Sequence, residues 1–437
     1  MSIPTLQGLQ TALSGLLAEQ QAMDVTGHNI ANANTEGYSR QTAVLQTSHA
    51  LPIASLSAVT GEGGQLGTGV TVETYTRVRN SYLDAQYRTQ NSALSGAGTQ
   101  SEQLEQVQSA FNEPSETGIS GQLSAFWSSW NSLAENPTSE AAKEAVVAAG
   151  QRLAGSLNQL STQLSSISAQ VEQQYEARTS PTGEVAEMAK QIAQLNEQIK
   201  LAEQARQPPN DLLDRRDLLI DKLSALAQVK VTANPDGTDT VAFGDAAKPL
   251  VEGSTVKWPQ TLTAAAGGQL GALLALNAPG GALTGFGSEL DAVAASLAGS
   301  VNALHTSTPF FTGTTAATIA VAVKPAEVQA SGSAAPGGNE VALAIADLRG
   351  GAAEQGYSSL VEQVGSKVRA AQGEQANMKA AVTAISNQRQ SVSGVSLDEE
   401  MTNLISFQRG YQASARTLTA MDEMLEQLIE HTGKAGL

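Results

Sequence analysis

Four aspartates on one predicted helix have the residue type and the spacing to bind a cation. They recur every three or four positions, which puts them on one broad helix face, and they are Asp211, Asp214, Asp217 and Asp221. Carboxylate oxygens are the ligands that a hard divalent cation prefers. The alternative is a solvated face on which they pair with Arg215, Arg216 and Lys222. We favour the solvated face, because the sequence offers no second acidic cluster or glycine-rich loop to complete a metal site.

Other catalytic chemistry finds little support in the residue types present. The chain has no cysteine, which excludes thiol catalysis and thiolate metal sites. Its histidines are too far apart in sequence for two to share a helix face, and they are His28, His49, His305 and His431. The stretch GEGGQLGTG at 61–69 lacks the Gly-Lys-Ser/Thr ending of a phosphate-binding loop and is interpreted as a flexible connector. The sequence therefore predicts no catalytic residue, no metal and no cofactor.

Length and charge limit the class of protein further. The 437 residues allow about three domains. A net charge of −17 repels a phosphate backbone, which argues against a nucleic-acid partner. Only 15% of the residues are charged and 4% are aromatic, a composition that favours long helices over an aromatic core. The first residues show no secretory signal peptide, and no apolar run in the sequence predicts a membrane span.

Both ends of the chain carry an apolar stripe at helical spacing, which predicts two long helices. The N-terminal stripe consists of Leu6, Leu9, Leu13, Leu16, Gln20, Met23, Gly27 and Ile30. The C-terminal stripe consists of Leu397, Met401, Leu404, Gln408, Tyr411, Ala415 and Leu418, continued by Leu425, Ile429 and Thr432. Ser396 and Glu399 predict a capping box at the start of the second helix. Because a lone helix with one narrow stripe is marginal in water, we expect the two stripes to face each other as a coiled coil that stays weakly folded until other subunits cover it.

Between the two ends the pattern changes from helix to strand and back. A third stripe recurs at multiples of seven through Leu157, Leu164, Val171, Val185, Ile192 and Ile199. Pro181 interrupts this stripe and predicts a kink or a restart of the helix, and Asn210 is predicted to cap the next helix. Short β-prone runs lie at about 229–265 and 306–333, with a helical segment around 268–303 between them.

The predicted fold is mainly α with a small β-rich insertion, and its N- and C-terminal helices are paired as a coiled coil. We expect a terminal coiled-coil domain from residues 1–45 plus 395–437. A long helical-bundle domain is expected from 46–228 plus 334–394, and a small outer β-rich portion with an internal helix from 229–333.

The stretch NIANANTEGYSRQ, which begins at Asn29, ends the N-terminal stripe. Asn34, Thr35 and Gly37 suit a tight turn, because asparagine tolerates a left-handed φ and bonds locally, while glycine has no Cβ. Such a turn would end the helix and redirect the chain outward. A disordered polar link is the alternative, and we favour the turn.

At this stretch the sequence resembles the N-terminal signature of bacterial flagellar rod, hook and hook-associated proteins. In that signature an S-G-L helix leads into N-I-A-N-x-N-T-x-G-Y, and here these are residues 14–16 and 29–38. The serine, arginine and glutamine at 39–41 narrow the resemblance to the hook-associated members. Further landmarks occur in the family's order at 67–88, 210–226, 267–276 and 393–429. The resemblance therefore covers essentially the whole chain.

The resemblance implies a structural subunit at the junction between hook and filament, with no enzymatic activity. In that family the N- and C-terminal helices form an inner tube and the outer domains face solvent. The implied partners are other copies of the chain, the hook protein on one side, the next hook-associated junction protein on the other, and a cytoplasmic chaperone on the C-terminal helix. The implied route is export by the flagellar type III apparatus, so that the protein is transiently cytoplasmic and then secreted.

Three sets of residues are expected to carry this role. The N-terminal assembly surface consists of Leu6, Leu9, Leu13, Leu16, Met23 and Ile30. The signature turn consists of Asn29, Asn32, Asn34, Thr35, Gly37 and Tyr38. The C-terminal assembly and chaperone surface consists of Leu397, Met401, Leu404, Phe407, Tyr411, Leu418, Met421, Leu425 and Leu428.

Two other functions stay open. Within the same class, the chain would be a hook protein or a filament-type subunit, although the R-I-x-x-A and D-D-A-A-G patterns of filament subunits are missing. From a different class, it would be an enzyme carried on flagellar domains, such as a cell-wall hydrolase, although its middle lacks a nucleophile motif or paired carboxylates. Compared with larger relatives, the length of the chain also implies a trimmed outer domain.

Overall fold

The computed structural model describes residues 4–53, 64–332 and 337–432. Its helices are α1 (Pro4–Asn32), α2 (Ser81–Phe111), α3 (Ile119–Glu135), α4 (Glu140–Thr179), α5 (Glu184–Gln204), α6 (Asn210–Leu226), α7 (Gly268–Asn277), α8 (Ala282–Leu304), α9 (Glu340–Ala346), α10 (Ala352–Ser393) and α11 (Leu397–Thr432). Its strands are β1 (Gln41–Thr47), β2 (Leu51–Ile53), β3 (Gly64–Leu66), β4 (Val70–Arg77), β5 (Val229–Ala233), β6 (Asp239–Phe243), β7 (Asp245–Glu252), β8 (Thr255–Val256), β9 (Phe311–Thr312) and β10 (Ala320–Val321). The prediction of a mainly α fold with a small β portion is confirmed.

The terminal helices α1 and α11 pack against each other in antiparallel orientation. Gly8, near the start of α1, lies beside Met421 in the second half of α11. Asn29, near the end of α1, bonds Glu400 in the first turn of α11. The predicted pairing of the two ends of the chain is therefore confirmed.

Half of the predicted capping box of α11 is present. The hydroxyl of Ser396 accepts a hydrogen bond from the backbone N–H of Glu399 at 3.4 Å. The Glu399 carboxylate pairs instead with the guanidinium of Arg40, at 2.9 Å. The Glu399 side chain, which the sequence predicts to complete the capping box, therefore takes part in a long-range ion pair.

An antiparallel ribbon of β1 and β4 follows the first helix, with Gln41 opposite Arg77. The strands β2 and β3 form a shorter pair beyond it. The hydrophobic pattern does not predict this ribbon. The interpretation of 61–69 as a flexible connector is wrong at 64–66, which form β3, whereas 61–63 lie outside the described residues. Gly69, with φ +113°, packs against Ser14 of α1, so the end of this segment has a defined conformation.

The larger hydrophobic core joins α2, α3, α4, α8 and α10. Its centre is aromatic, because Phe126 and Trp130 of α3 lie against Phe310 and Phe311 at ring-centroid distances of 5.3–5.7 Å, and Trp127 packs against Phe126 at 5.0 Å. All five side chains are at most 2% exposed. Few aromatic residues therefore suffice, since they are concentrated at one place.

A second core lies between α5, α6, α7 and an antiparallel sheet with the strand order β5-β6-β7-β8. The stripe predicted through Pro181 divides here. Its first half, up to Val171, belongs to the larger core, and Val185 and Ile192 of its second half belong to this one. Because α4 ends at Thr179 and α5 begins at Glu184, the predicted restart of the helix is confirmed.

The three predicted domain boundaries stay a prediction. Strands occur in both segments expected to be β-rich, and α7 and α8 occur between them. The interior of α8 packs into the larger core against α4 and α10.

Candidate functional site

The face of α1 that lies against α11 includes a series of small residues spaced seven apart. A Cβ on Gly8 would sit 2.7 Å from the Met421 side chain, and a Cβ on Gly15 would sit 3.2 Å from Ser414 Oγ. The next positions in the same series are Ala22, which is 3% exposed, and Asn29, which bonds α11. Small residues at this spacing allow two helix backbones to approach closely, so they fix the register of the pair.

The apolar stripe predicted on α1 does not face α11. One row of this stripe, which contains Leu9 and Leu16, follows the small residues by one position, or about 100° around the helix, and the other row, which contains Leu13, precedes them by two positions, or about 200°. Leu13 on this stripe is 42% exposed, and the neighbouring Leu17 is 48% exposed. The expectation that the two stripes face each other is wrong for α1, because small side chains allow closer packing against α11 than leucines do.

The other described residues of the predicted N-terminal surface are neither fully buried nor fully exposed. Leu9, Leu16, Met23 and Ile30 are half-buried. Leu6 lies in α1, but its side chain is outside what the structure describes.

On α11, the predicted surface divides into a packed part and an open part. The half-buried part, which recurs at helical spacing on the side toward α1, consists of Leu404, Phe407, Tyr411, Leu418, Met421 and Leu425. The first turns leave Leu397 51% and Met401 47% exposed. Ile405 and Met424, which the predicted surface omits, are also exposed. The side chain of Leu428 is outside what the structure describes.

Both terminal helices thus carry apolar side chains that the chain itself does not cover. Exposed apolar side chains lower their free energy by contact with another apolar surface. What the pair can do is associate with further helices. The functional surface therefore lies on the outside of the pair.

The side chain of Asn29 joins the end of α1 to three other segments. Its Nδ2 donates to the carbonyl of Gln41 at 2.9 Å and to Glu400 Oε2 at 3.1 Å. Its Oδ1 accepts from the Tyr38 hydroxyl at 2.7 Å and from the Gln41 backbone N–H at 2.9 Å. Asn29 is 1% exposed and Glu400 is 2% exposed. This asparagine is a buried crosslink, and only the contacts of distant segments reveal that role.

The chain turns between α1 and β1 through a local hydrogen-bonded structure. The backbone N–H of Thr35 donates to Asn32 O at 2.9 Å, and that of Tyr38 donates to Thr35 O at 3.2 Å. Gly37 adopts φ +81° and packs against Leu218 of α6. Asn34 is exposed and has no left-handed φ, so that detail of the predicted turn is wrong: glycine alone supplies the left-handed position.

Three of the four aspartates on α6, Asp214, Asp217 and Asp221, belong to a largely buried ion-pair cluster, so the prediction of a solvated face is wrong for them, whereas Asp211 is exposed. Asp217 contacts three guanidiniums, those of Arg77 at 2.9 Å, Arg79 at 3.0 Å and Arg88 at 3.1 Å. Burial raises the pKa of the Asp217 carboxyl, but Arg79, Arg77 and Arg88 lower it, so that this pKa lies below its ordinary value.

Asp221 extends the cluster toward α10. Its carboxylate contacts Arg88 at 2.6 Å and Arg389 at 2.8 Å, and the Arg389 guanidinium also stacks 4.2 Å from the ring centre of Tyr87. The arginines of this cluster come from distant segments. The expected local partners differ, since Arg216 pairs with Asp239.

The predicted cap of α6 has another role. Asn210 is the first residue of the helix and makes no capping hydrogen bond. Its Nδ2 donates to Gln41 Oε1 at 3.1 Å and to the carbonyl of Tyr75 at 3.0 Å. For the ion-pair cluster, the sequence signal is the group Arg77, Arg79 and Arg88 together with the acidic helix α6, but the fold decides which of these residues pair.

Metal binding and membrane insertion gain no support from the geometry. In the part of the chain that the structure describes, no carboxylates or histidines are grouped so as to hold a metal ion. None of the described helices combines the length and the hydropathy needed to cross a membrane.

Three protein-family models match the chain in its own order. Residues 9–38 match the flagella basal body rod protein model. Residues 104–265 match the flagellar hook-associated protein FlgK helical domain, and residues 385–430 match the flagellar basal body rod FlgEFG protein C-terminal model. The matches include both terminal helices and the helical body.

Two curated relatives match the chain almost from end to end, and a third matches part of it. Flagellar hook-associated protein 1 of Bacillus subtilis is 29% identical over 507 residues, covering 99% of both chains. The protein of the same name from Escherichia coli is 25% identical, over 96% of this chain and 99% of its own. That of Salmonella typhimurium is 33% identical over 56% of this chain and 42% of its own. A solved structure, of the flagellar hook junction protein FlgK from Burkholderia pseudomallei, matches with a TM-score of 0.44 and 28% identity, over 52% of this chain and 44% of that one.

Proposed function

This chain belongs to the family of flagellar hook-associated proteins and is a structural subunit of the bacterial flagellum, and we propose that it forms the junction between hook and filament. The proposal rests on one observation. The terminal helices pair through their small-residue face and leave apolar residues exposed on the outside of the pair. A subunit that stacks with copies of itself and with neighbouring axial proteins needs such a surface.

The proposed assembly surface consists of the exposed and half-buried apolar residues of α1 and α11. Leu13, Leu397 and Met401 are its most open predicted members. In the assembled state each would be buried against a neighbouring helix, which is worth about 1.5–3 kcal/mol for a fully buried leucine or methionine. Several such contacts per subunit would therefore favour assembly strongly.

The test is a matched set of surface substitutions in cells that lack the native protein. Leu13→Gln combined with Met401→Gln should abolish motility, with hooks that carry no filament in electron micrographs. Leu201→Gln is the control, because Leu201 on α5 is 57% exposed and lies outside the terminal helices. Normal filaments in the double variant would reject the proposed surface, and so would an equal defect in the control.

We further propose partners and a route for the chain. Its neighbours along the axis are the hook protein and the next hook-associated junction protein, and the exposed apolar residues of α11 bind a cytoplasmic chaperone before type III export. Removal of the last 35 or so residues should abolish both chaperone binding and assembly. The larger core lies before that segment and should keep its melting transition. Normal motility after this truncation would contradict the proposal.

We propose that the chain performs no chemistry. The relatives that it matches end to end are hook-associated proteins. Zymography on peptidoglycan should give no cleared band for the purified chain. A cleared band that persists after rigorous purification would establish a hydrolase carried on a flagellar framework.

A further inference from the structure

We infer that the first half of α6 is a bracket that fixes the direction in which the β1–β4 ribbon leaves the helical body, before any neighbouring subunit is present. The α6 bracket consists of Asn210, Asp211, Asp214 and Asp217. These residues lie at positions i, i+1, i+4 and i+7 of the helix, so they share one face. The inference concerns the isolated chain and does not depend on where the subunit sits in the flagellum.

One carboxylate of the bracket holds both strands of the ribbon. Asp214 accepts the backbone N–H of Ser39, just before β1, at 3.1 Å. It also accepts from the guanidinium of Arg77, the last residue of β4, at 2.8 Å. A single side chain that contacts both strands at their base restrains the ribbon against rotation, because neither strand can move without breaking a charge-assisted bond.

A second set of bonds repeats this arrangement one step further along the ribbon. The side-chain amide of Gln41 donates to Asp211 Oδ1 at 3.2 Å and accepts from Asn210 at 3.1 Å. Asn210 also donates to the carbonyl of Tyr75 at 3.0 Å. Because Gln41 lies in β1 and Tyr75 in β4, both strands are again held by the same end of α6.

The bracket is itself rigidly held. The other half of α6 anchors it in the second core through Ile220, Leu223 and Leu226, which are at most 3% exposed. Asp214 is 6% exposed and Gln41 is 8% exposed. Shielded pairs of this kind are screened little by salt, so the restraint should persist at physiological ionic strength.

The restraint gives the terminal helices a fixed starting point. Asn29 bonds both the backbone N–H and the carbonyl of Gln41, so the end of α1 is attached to the strand residue that the bracket holds. The terminal helices can remain incompletely ordered until neighbours cover them, while the base from which they extend already has its direction. Assembly then has to order the helices but not to orient them.

The test measures the angle of the ribbon in the monomeric full-length chain. The protein contains no cysteine, so spin labels attach only at introduced sites. Glu73→Cys on β4 and Ala376→Cys on α10 are suitable, since both positions are exposed. From the usual rise per residue of its element, each position lies within about 30 Å of the base of the ribbon. The distance between the two labels therefore falls in the range that electron–electron double resonance measures. The unsubstituted bracket should give a single narrow distance distribution.

Two bracket variants and one control decide the outcome. Asp214→Asn and, separately, the uncharged change Asn210→Ala should broaden the distribution. Asp239→Asn is the control. Asp239 lies in β6 and pairs with Arg216 of α6, the helix that carries the bracket, and not with a residue of the ribbon. The control should keep the narrow distribution even though it loses a buried ion pair. Should Asp214→Asn fail to fold by circular dichroism, Asn210→Ala alone decides.

Three results would overturn the inference: a broad distribution in the unsubstituted chain, a narrow one in both bracket variants, or equal broadening in the control. Hydrogen exchange provides a second readout. In the unsubstituted chain, protection should extend to the Ser39 amide, and in Asp214→Asn this amide should exchange about 10- to 100-fold faster. Unchanged exchange at Ser39 would count against the bracket. Neither measurement involves assembly, so a failure here leaves the proposed junction role standing.

Discussion

The side-chain amide of Asn29 donates a hydrogen bond to the carboxylate of Glu400 at 3.1 Å, although 371 positions separate the two residues in the chain. The same side chain bonds both backbone groups of Gln41 and the hydroxyl of Tyr38. One residue therefore joins the first helix, the last helix, the signature turn and the first strand. Its four hydrogen bonds, two donated and two accepted, use the full capacity of a primary amide.

Replacing Asn29 by alanine should destabilise this junction strongly. The change leaves the buried Glu400 carboxylate and both Gln41 backbone groups without a partner, which costs about 1–3 kcal/mol for each unsatisfied group. Hydrogen exchange should show faster opening at the Gln41 amide than in the unsubstituted chain. Asn34→Ala is the control, because Asn34 is exposed, and its effect should stay within about 0.5 kcal/mol. Equal exchange in the two variants would contradict the role assigned to Asn29.

Enlarging the small-residue face should separate the terminal helices. Ala22 is 3% exposed, and the spacing of seven places it opposite Phe407 of α11. Ala22→Leu should therefore overpack the interface and cost about 1–3 kcal/mol, measured as faster hydrogen exchange in α1 and α11. Ala31→Leu, at an exposed position of the same helix, adds the same volume and should leave exchange unchanged. If Ala22→Leu left the pairing intact, the assignment of this face would be wrong.

Two glycine-to-alanine changes near the end of α1 should have opposite signs. Gly37 has φ +81°, and a Cβ there would lie 3.1 Å from Leu218, so Gly37→Ala should destabilise the turn by about 1–3 kcal/mol. Gly27 lies within α1 with open space around it, so Gly27→Ala should stabilise the helix by about 0.5–1 kcal/mol. Exchange rates of the α1 and Tyr38 amides measure both effects. Changes of the same sign would contradict this interpretation.

The chain should lose stability in acid partly through Asp217. Three guanidiniums hold the pKa of this carboxyl below its ordinary value. An aspartate whose folded pKa is below the unfolded value of about 3.9 stabilises the fold above that pH, and its contribution is lost as the pH falls through the folded pKa. Asp217→Asn should therefore reduce the slope of melting temperature against pH below about pH 4. The exposed Asp398→Asn is the control and should leave that slope unchanged. An unaltered slope in Asp217→Asn would show that the carboxylate does not contribute.

Hydrophobic periodicity predicts the helices of this chain well but does not predict which faces meet. The stripes of α1 and α11 identify two long helices at the ends, and their pairing follows because each stripe is too narrow for a lone helix. The stripe of α1 is nevertheless turned away from α11, and Gly8, Gly15 and Ala22 face it. Those small residues also recur every seven positions, yet a pattern that counts only large apolar side chains passes over them.

The aspartates of α6 illustrate the opposite limit. Their spacing predicts a shared face, which the helix confirms, but whether that face is solvated depends on what packs against it. Arg77, Arg79 and Arg88 come from a segment more than a hundred residues earlier, and Arg389 from a helix near the other end. From the local sequence, Arg215 and Arg216 were the expected partners, but the fold places the more distant arginines against the aspartates.

By itself, the sequence determined the elements whose cause is local: where helices start, stop and restart, where glycine must turn the chain, and that the two ends carry apolar residues in need of partners. Tertiary structure alone decided the long-range pairings, which include the contact of Asn29 with Glu400 and the ion pairs of Arg77, Arg79 and Arg88 with the α6 aspartates. It also decided that Leu13 is exposed. The physical reason is that periodicity and backbone propensity act over a few residues. Burial and charge pairing depend instead on which distant segment occupies the adjacent space.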